Sequence, residues 1–212
     1  MNTPAWRTYL VTDDAHSAGR TTPTIVKAAL EGGVDVVQLR EKTMDARSRY
    51  RVGRRVRELT AEADVPLVVN DRVDLAAAID ADGVHLGQTD LPVEVARDQL
   101  GPDAIVGVSA ATVTEARAAV DAGADYLGVG AVYGTDSKDV DDDRDGVGPE
   151  RIRSITDAVD VPVIGIGGIT AENAEPVVEA GANGVAVISA ITAADDPKVA
   201  TAALYEVVER AR

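Results

Sequence analysis

The chain has no cysteine and no phenylalanine. Without thiols, a cysteine nucleophile, a disulfide framework and a Cys-held zinc or iron–sulfur centre are all excluded. Aromatic residues make up only 3% of the sequence against 45% hydrophobic residues in all, so the core has to be built mainly from Val, Ile, Leu and Ala. No run approaches the roughly eighteen apolar residues of a membrane span, and the N-terminus lacks the basic-then-apolar order of a secretory signal. Positive charge is scarce as well: 21 Lys and Arg against 36 Asp and Glu leave a formal net charge of −15. Such a surface repels nucleic acid and anionic membrane. These absences predict a soluble cytoplasmic protein working on small molecules, with no nucleic acid or membrane partner. A homo-oligomer is compatible with this reading, and the acid surplus suits a salt-rich cytoplasm.

What is present is a rhythm. Short Val- and Ile-rich runs alternate with longer amphipathic ones from end to end, the pattern of strand–helix units around a parallel sheet. Eight strands are predicted, at Thr8–Thr12, Val34–Arg40, Pro66–Asn70, Gly83–Leu86, Ala104–Ser109, Tyr126–Gly130, Val161–Ile166 and Gly184–Ile188. Thr112 with Glu115 forms a capping box, Pro149 and Pro197 suit first helical turns, and a last helix runs from about Asp196 to Arg210. A weak repeat (an acidic residue, small residues or Gly, then Asp or Asn) precedes each even-numbered strand, around Asp35, Asp82, Asp125 and Asn183. Glycine there supplies the left-handed residue that ends a helix. Four copies, each spanning two units, predict one α/β domain over residues 1–212, a (β/α)8 TIM barrel; an open doubly wound sheet is the alternative. Only the polar stretch of about 134–148 breaks the rhythm. Its length and composition predict a lid over the site, with its Asp cluster solvated.

In such a barrel the active-site groups lie at the carboxyl ends of the strands. Those ends are unusually polar: Gln38, Arg40 and Lys42; Asn70, Asp71 and Arg72; His85, Gln88 and Asp90; Ser109; Thr135, Ser137 and Lys138; Gly167 and Gly168; Ser189. Gln38, Arg40 and Lys42 alternate along one strand and share a face, whereas Leu39 and Glu41 point away, leaving Glu41 at most a support. The run Gly165-Ile166-Gly167-Gly168-Ile169-Thr170 suits a phosphate cradle, with Ser189 adding a hydroxyl. A dinucleotide fingerprint or a plain tight turn are the other readings of those glycines. Asp71 and Asp90 suit a Mg²⁺ that is completed by substrate phosphate and water, and equally suit helix N-caps. His85 is expected to be a packed or supporting histidine rather than a general base.

Six ordered blocks extend this reading. They are Tyr9-Leu10-Val11-Thr12-Asp13, Val37-Gln38-Leu39-Arg40-Glu41-Lys42, Asn70-Asp71-Arg72-Val73-Asp74-Leu75-Ala76, Gly83-Val84-His85-Leu86-Gly87-Gln88 with Asp90, Gly107-Val108-Ser109 and Gly165-Ile166-Gly167-Gly168-Ile169. Through them the chain resembles the thiamine phosphate synthase family over nearly its whole length. The resemblance implies condensation of hydroxymethylpyrimidine diphosphate with hydroxyethylthiazole phosphate to give thiamine phosphate and pyrophosphate, through a pyrimidine carbocation. It implies that Gln38, Arg40, Lys42, Asn70 and Lys138 hold the pyrimidine diphosphate and that Asp71 and Asp90 hold Mg²⁺. Ser109 would lie beside the pyrimidine, and Thr135, Ser137, Gly168, Ile188 and Ser189 would take the thiazole phosphate; Arg40, Lys42, Ser109 and Lys138 would act in catalysis. Thr135-Asp136-Ser137-Lys138 stands where the family often has Thr-x-Thr-Lys, Ala111 where a histidine is common, and the acidic segment 139–145 has no family counterpart. A thiazole tautomerase of the same fold, or a non-catalytic sensor of phosphate ligands, remains the alternative function.

Overall fold

The structure is a computed structural model that describes residues 6–134 and 146–212. Eight strands, β1 (Thr8–Val11), β2 (Val36–Leu39), β3 (Leu67–Asn70), β4 (Gly83–Leu86), β5 (Ile105–Ser109), β6 (Tyr126–Val129), β7 (Val163–Ile166) and β8 (Gly184–Val187), follow one another around a closed barrel. Every neighbouring pair is parallel, and β8 closes onto β1 through Thr8↔Val185 and Leu10↔Val187. All eight predicted strands are present and the open-sheet alternative falls away, because no strand is left at an edge.

Around the barrel run α1 (Thr22–Glu31), α2 (Ala46–Glu62), α3 (Val73–Ile79), α4 (Val93–Leu100), α5 (Val113–Asp121), α6 (Gly148–Thr156), α7 (Glu175–Glu179), α8 (Ser189–Thr192) and α9 (Pro197–Ala211). Pro149 and Pro197 sit in the first turns of α6 and α9, as their missing N–H groups allow. Thr112 accepts the Glu115 N–H, but the Glu115 carboxylate reaches back to Ala111 N–H, one residue beyond the box expected. The N-cap reading of Asp71 and Asp90 is overturned, since Arg72 and Pro92 occupy those cap positions.

Strand alternation divides the core in two. Outward residues such as Leu10, Val37, Leu67, Val84, Leu127 and Val185 pack against Ile25, Val56, Ile79, Ile152 and Leu204 of the helices. Inside the barrel lies a smaller cluster of Trp6, Tyr9, Val11, Val36, Val68, Tyr126, Ile164, Ala186 and Ile188. Three of the chain's six aromatic residues, one Trp and five Tyr in all, are therefore inside the barrel. Trp6 meets Tyr126 edge-on at 5.1 Å and Tyr9 at 6.0 Å. Gly107 makes this filling possible: a Cβ there would lie 2.1 Å from the Tyr126 ring.

The fourfold repeat acquires a physical cause on the amino-terminal face. Asp35 accepts the N–H of Arg7 and Thr8, Asp82 that of Leu67, Asp125 that of Val106, and Asn183 that of Val163. Each of these side chains also has its own N–H bonded to the carbonyl at the same strand start. A reciprocal stitch thus ties the foot of each odd strand to the next even one. The left-handed residue expected before each is Gly33, Gly123 and Gly181 in three units, whereas in the second it is Asp80 (φ 56°), not a glycine.

Candidate active site

β2 delivers the first polar group into the barrel. Gln38 is 5% exposed, and its Nε2 donates to the Tyr9 hydroxyl at 2.8 Å. Two residues on, Arg40 is 6% exposed. Its N–H donates to Thr12 Oγ1, and its Nη1 is 2.5 Å from Asp13 Oδ2 at the end of β1. The Arg40 Nε–H is buried with no partner among the described residues. Glu41 faces away from the barrel mouth, accepting from the Asp14 N–H and the Thr22 hydroxyl. Burial pushes its carboxyl up, against hydrogen bonds from Thr12, Thr22 and Asp14. Glu41 therefore anchors the loop that carries Asp13, which in turn holds Arg40.

Next around the rim, Asn70 is buried at the end of β3, and Asp71 follows with a left-handed backbone (φ 62°) fixed by its N–H on His85 O. Lys42 Nζ lies 3.7 Å from Asp71 Oδ2, with the lysine well exposed. Thus Arg40 and Lys42 do not form a bare cation pair, as the strand pattern alone suggested; each has a carboxylate beside it. Asp90, after β4, accepts the Gly87 N–H at 2.6 Å, and Gln88 bonds to Ser109 O across to β5. Arg72 turns away to pair with Asp74.

A line of hydrogen bonds crosses the barrel. From Gln38 it runs to Tyr9, to Tyr126 (hydroxyl to hydroxyl, 2.8 Å), to His85 Nδ1 (2.9 Å), and from His85 Nε2 to Ser109 Oγ (2.9 Å). Burial pushes the Tyr9 hydroxyl up to about 12 and that of Tyr126 well above the ordinary phenol value, so both are neutral. These five residues, with Val11, Ile164, Ile166, Ala186 and Ile188, line one pocket that is polar along the line and apolar opposite.

On the far side of the rim, Gly167 (φ 101°) and Gly168 (φ 62°) form a left-handed turn after β7. A Cβ at either would strike the 131–134 segment, 2.5 Å from Ala131 or 2.6 Å from Gly134 O. Asn173 locks the turn by donating to Gly168 O and accepting the Thr170 N–H. The dinucleotide reading fails, because α7 begins only at Glu175 and no helix opens on these glycines. Ile188 is buried and Ser189 exposed where α8 follows β8.

The strand-end pattern thus located Gln38, Arg40, Asn70, His85 and Ser109 in and around one barrel mouth. Of the lid expected at about 134–148, residues 135–145, with Thr135, Ser137 and Lys138, lie outside the described residues, while Val147 and Gly148 bond back to Ala131 and Val132 and Gly148 opens α6. Asp13, Tyr9 and Tyr126 were not singled out by their chemistry. The signal for the tyrosines was available, as both share the inward parity of their strands in a chain poor in aromatics. Among the described residues no cluster of three or more His, Asp or Glu could by itself enclose a metal. Asp71 and Asp90 follow the neighbouring strands β3 and β4, with Lys42 beside the first and the Gly87 N–H on the second.

Residues 8–191 match the family model described as thiamine monophosphate synthase. The chain is 66% identical over 201 residues to the thiamine-phosphate synthase of Natronomonas pharaonis, covering 95% of this chain and 94% of that protein. It is 62% identical over 208 residues to that of Haloarcula marismortui, covering 98% and 99%. The solved structure of a thiamine phosphate pyrophosphorylase from Pyrococcus furiosus superposes with a TM-score of 0.88 at 41% identity, covering 98% of this chain and 97% of that one. Matched along nearly all its length by sequence and by fold, the chain belongs to the thiamine phosphate synthase family.

Proposed function

We propose that this chain is a transferase that condenses hydroxymethylpyrimidine diphosphate with hydroxyethylthiazole phosphate, yielding thiamine phosphate and pyrophosphate. The observation that carries the reading is the inner face of β2. It sets a buried amide, Gln38, inside a pocket with one polar and one apolar wall, and directly above it a buried guanidinium with an unspent N–H. That is a buried amide with an anion site above it, and the cavity of about 20 Å³ beside the amide has to widen for a ring to enter. Arg40 and Lys42, with Asn70 and Lys138, take the diphosphate. Gln38 and Ser109 flank the pyrimidine. Thr135, Ser137, Gly168, Ile188 and Ser189 receive the thiazole phosphate.

The step needs no general base. The C–O bond to the diphosphate breaks with its electron pair leaving on pyrophosphate, and the thiazole nitrogen then donates its lone pair to the pyrimidine methylene carbon. Rate therefore depends on stabilising the departing charge and on holding the two rings together. Asp13 keeps Arg40 oriented before substrate arrives, so little reorganisation is left for the reaction. Asp71 and Asp90 would hold Mg²⁺. When bound there, the ion neutralises charge on the diphosphate. The left-handed Asp71 supports that role, since a non-glycine residue in this conformation is held at a cost that function often accounts for. The partners on this reading are two small molecules, and the setting is the cytoplasm.

Incubating the purified chain with both substrates and Mg²⁺ tests the proposal. Thiamine phosphate and pyrophosphate should appear in equal amounts, and chelation of the metal should stop both. Release of pyrophosphate without a joined product, or no turnover at all, would overturn it.

A further inference from the structure

We propose that Tyr9, Tyr126 and His85 form a one-way hydrogen-bond relay that fixes His85 as the Nε2–H tautomer and so makes the Ser109 hydroxyl a donor toward the substrate ring. The inference rests on the reading that Gln38 and Ser109 flank the pyrimidine, and it assigns positioning roles to three residues that do not themselves react.

The direction follows from counting donors. Gln38 Nε2 donates to the Tyr9 oxygen, so the Tyr9 O–H has to donate onward, and the Tyr126 oxygen at 2.8 Å is its partner. The Tyr126 O–H then donates to His85 Nδ1 at 2.9 Å, leaving the ring proton on Nε2, 2.9 Å from Ser109 Oγ. Ser109 accepts that proton's hydrogen bond and keeps its own hydrogen for a ring nitrogen bearing a lone pair. Reversing the line while the Gln38 amide keeps its orientation would put two donors on the Tyr9 oxygen. The Tyr9 O–H would then have no acceptor at a fully buried site, at a cost comparable to a lost hydrogen bond. Both phenols stay neutral across ordinary pH, as a relay of this kind requires. The surroundings also hold the line still. A Cβ at Gly107 would enter the Tyr126 ring, and one at Gly128 would lie 2.9 Å from His85 Cε1.

The chain has only two histidines, His16 and His85, which makes the test direct. Full-length protein labelled with [¹⁵N]histidine is observed by two-bond ¹H–¹⁵N correlation, with His16→Gln used to assign the second set of signals. His85 should show a protonated Nε2 and a bare Nδ1. Tyr126→Phe removes the donor to Nδ1 and should populate the other tautomer. It should also raise KM for the pyrimidine diphosphate roughly tenfold, the effect of one misdirected hydrogen bond, while KM for the thiazole phosphate stays unchanged. Tyr9→Phe should keep the tautomer, because the Tyr126 O–H still donates. An Nδ1–H tautomer in the parent protein would overturn the relay, and so would a Tyr126→Phe variant that raises both KM values alike or moves neither. Should Tyr126→Phe fail to fold, the tautomers of the parent and of Tyr9→Phe decide the matter. If the parent makes no thiamine phosphate, the reading of the site fails, while the histidine spectrum still judges the relay.

Discussion

Arg40 is a buried cation that brings its own counter-charge. Asp13 holds it in place, and Glu41, one residue further along the same chain segment, holds the loop on which Asp13 sits. Asp13→Ala should leave a buried guanidinium without its partner, costing stability, and should raise KM for the diphosphate substrate by about tenfold or more, because the pairing also fixes geometry. Steady-state kinetics with the thiazole phosphate saturating checks this. The two buried tyrosines give a second prediction. Their protonation is favoured in the fold, with Tyr9 raised to about 12 from an ordinary phenol value of 10.0. The unfolded chain therefore loses these protons first as pH rises. Their contribution to stability is complete below about pH 10 and disappears as pH climbs toward 12, so urea midpoints should fall over that window. Tyr9→Phe should flatten the fall. Gln38, Arg40, Asn70 and Ser109 were legible as residues of the barrel mouth because polar side chains at strand ends stand out against apolar strands. Asp13 and the tyrosines were not, because their roles consist in whom they touch: a phenol on an inward strand position reads as core filling until its partners across the barrel are known.

At the level of elements, the strands were the most legible feature. Their runs of Val, Ile and Leu leave no other reading once eight of them alternate with amphipathic segments. Helix starts were read less well, as Asp71 and Asp90 show. An aspartate just before a helix looks like a cap, yet Asp71 takes a left-handed turn and Asp90 closes its own short loop on Gly87. The repeat before the even strands was visible as a pattern without a cause. The structure supplies one in the Asp and Asn stitches, each replacing water at an N–H that would otherwise start its strand unpaired. Asp125 accepts from the Val106 N–H and from Arg97, as Asp82 does from the Leu67 N–H and Arg57. Asp125→Ala should destabilise the fold by roughly 1–3 kcal/mol, the penalty for stranding a backbone donor and an arginine together. Catalysis should survive at temperatures where the variant is folded, since the stitches lie at the opposite end of the barrel from the site. Denaturation followed by circular dichroism, with activity assayed well below the midpoint, separates the two effects.

Taken as a whole, the molecule carries a net charge of −15 on 212 residues. Self-repulsion of that surplus works against the compact state, and salt screens it, the Debye length falling to about 3 Å at 1 M. The melting temperature should therefore rise by several degrees between low and molar salt, with solubility maintained. Equal melting temperatures in both would show that the acid surplus has no bearing on stability.

The stitches also say how the chain is divided. Each one joins two strands of a single β–α–β–α quarter in both directions, whereas neighbouring quarters meet through backbone ladders such as Val37↔Leu67, through helix packing and through side-chain bonds such as Arg57–Asp82 and Arg97–Asp125. Arg7 contacts Glu209 and lies over the Tyr205 ring, so the beginning of β1 and the last helix are neighbours that a short linker can join. The order of the quarters along the chain is then a matter of where the ends are placed. A circular permutant opened after Asp64, between two quarters, should fold and melt above one opened between Gly32 and Gly33, inside a quarter, because only the second cut lets a stitch's two halves separate. The barrel is in this sense a ring with four starting points, one at the foot of each odd strand.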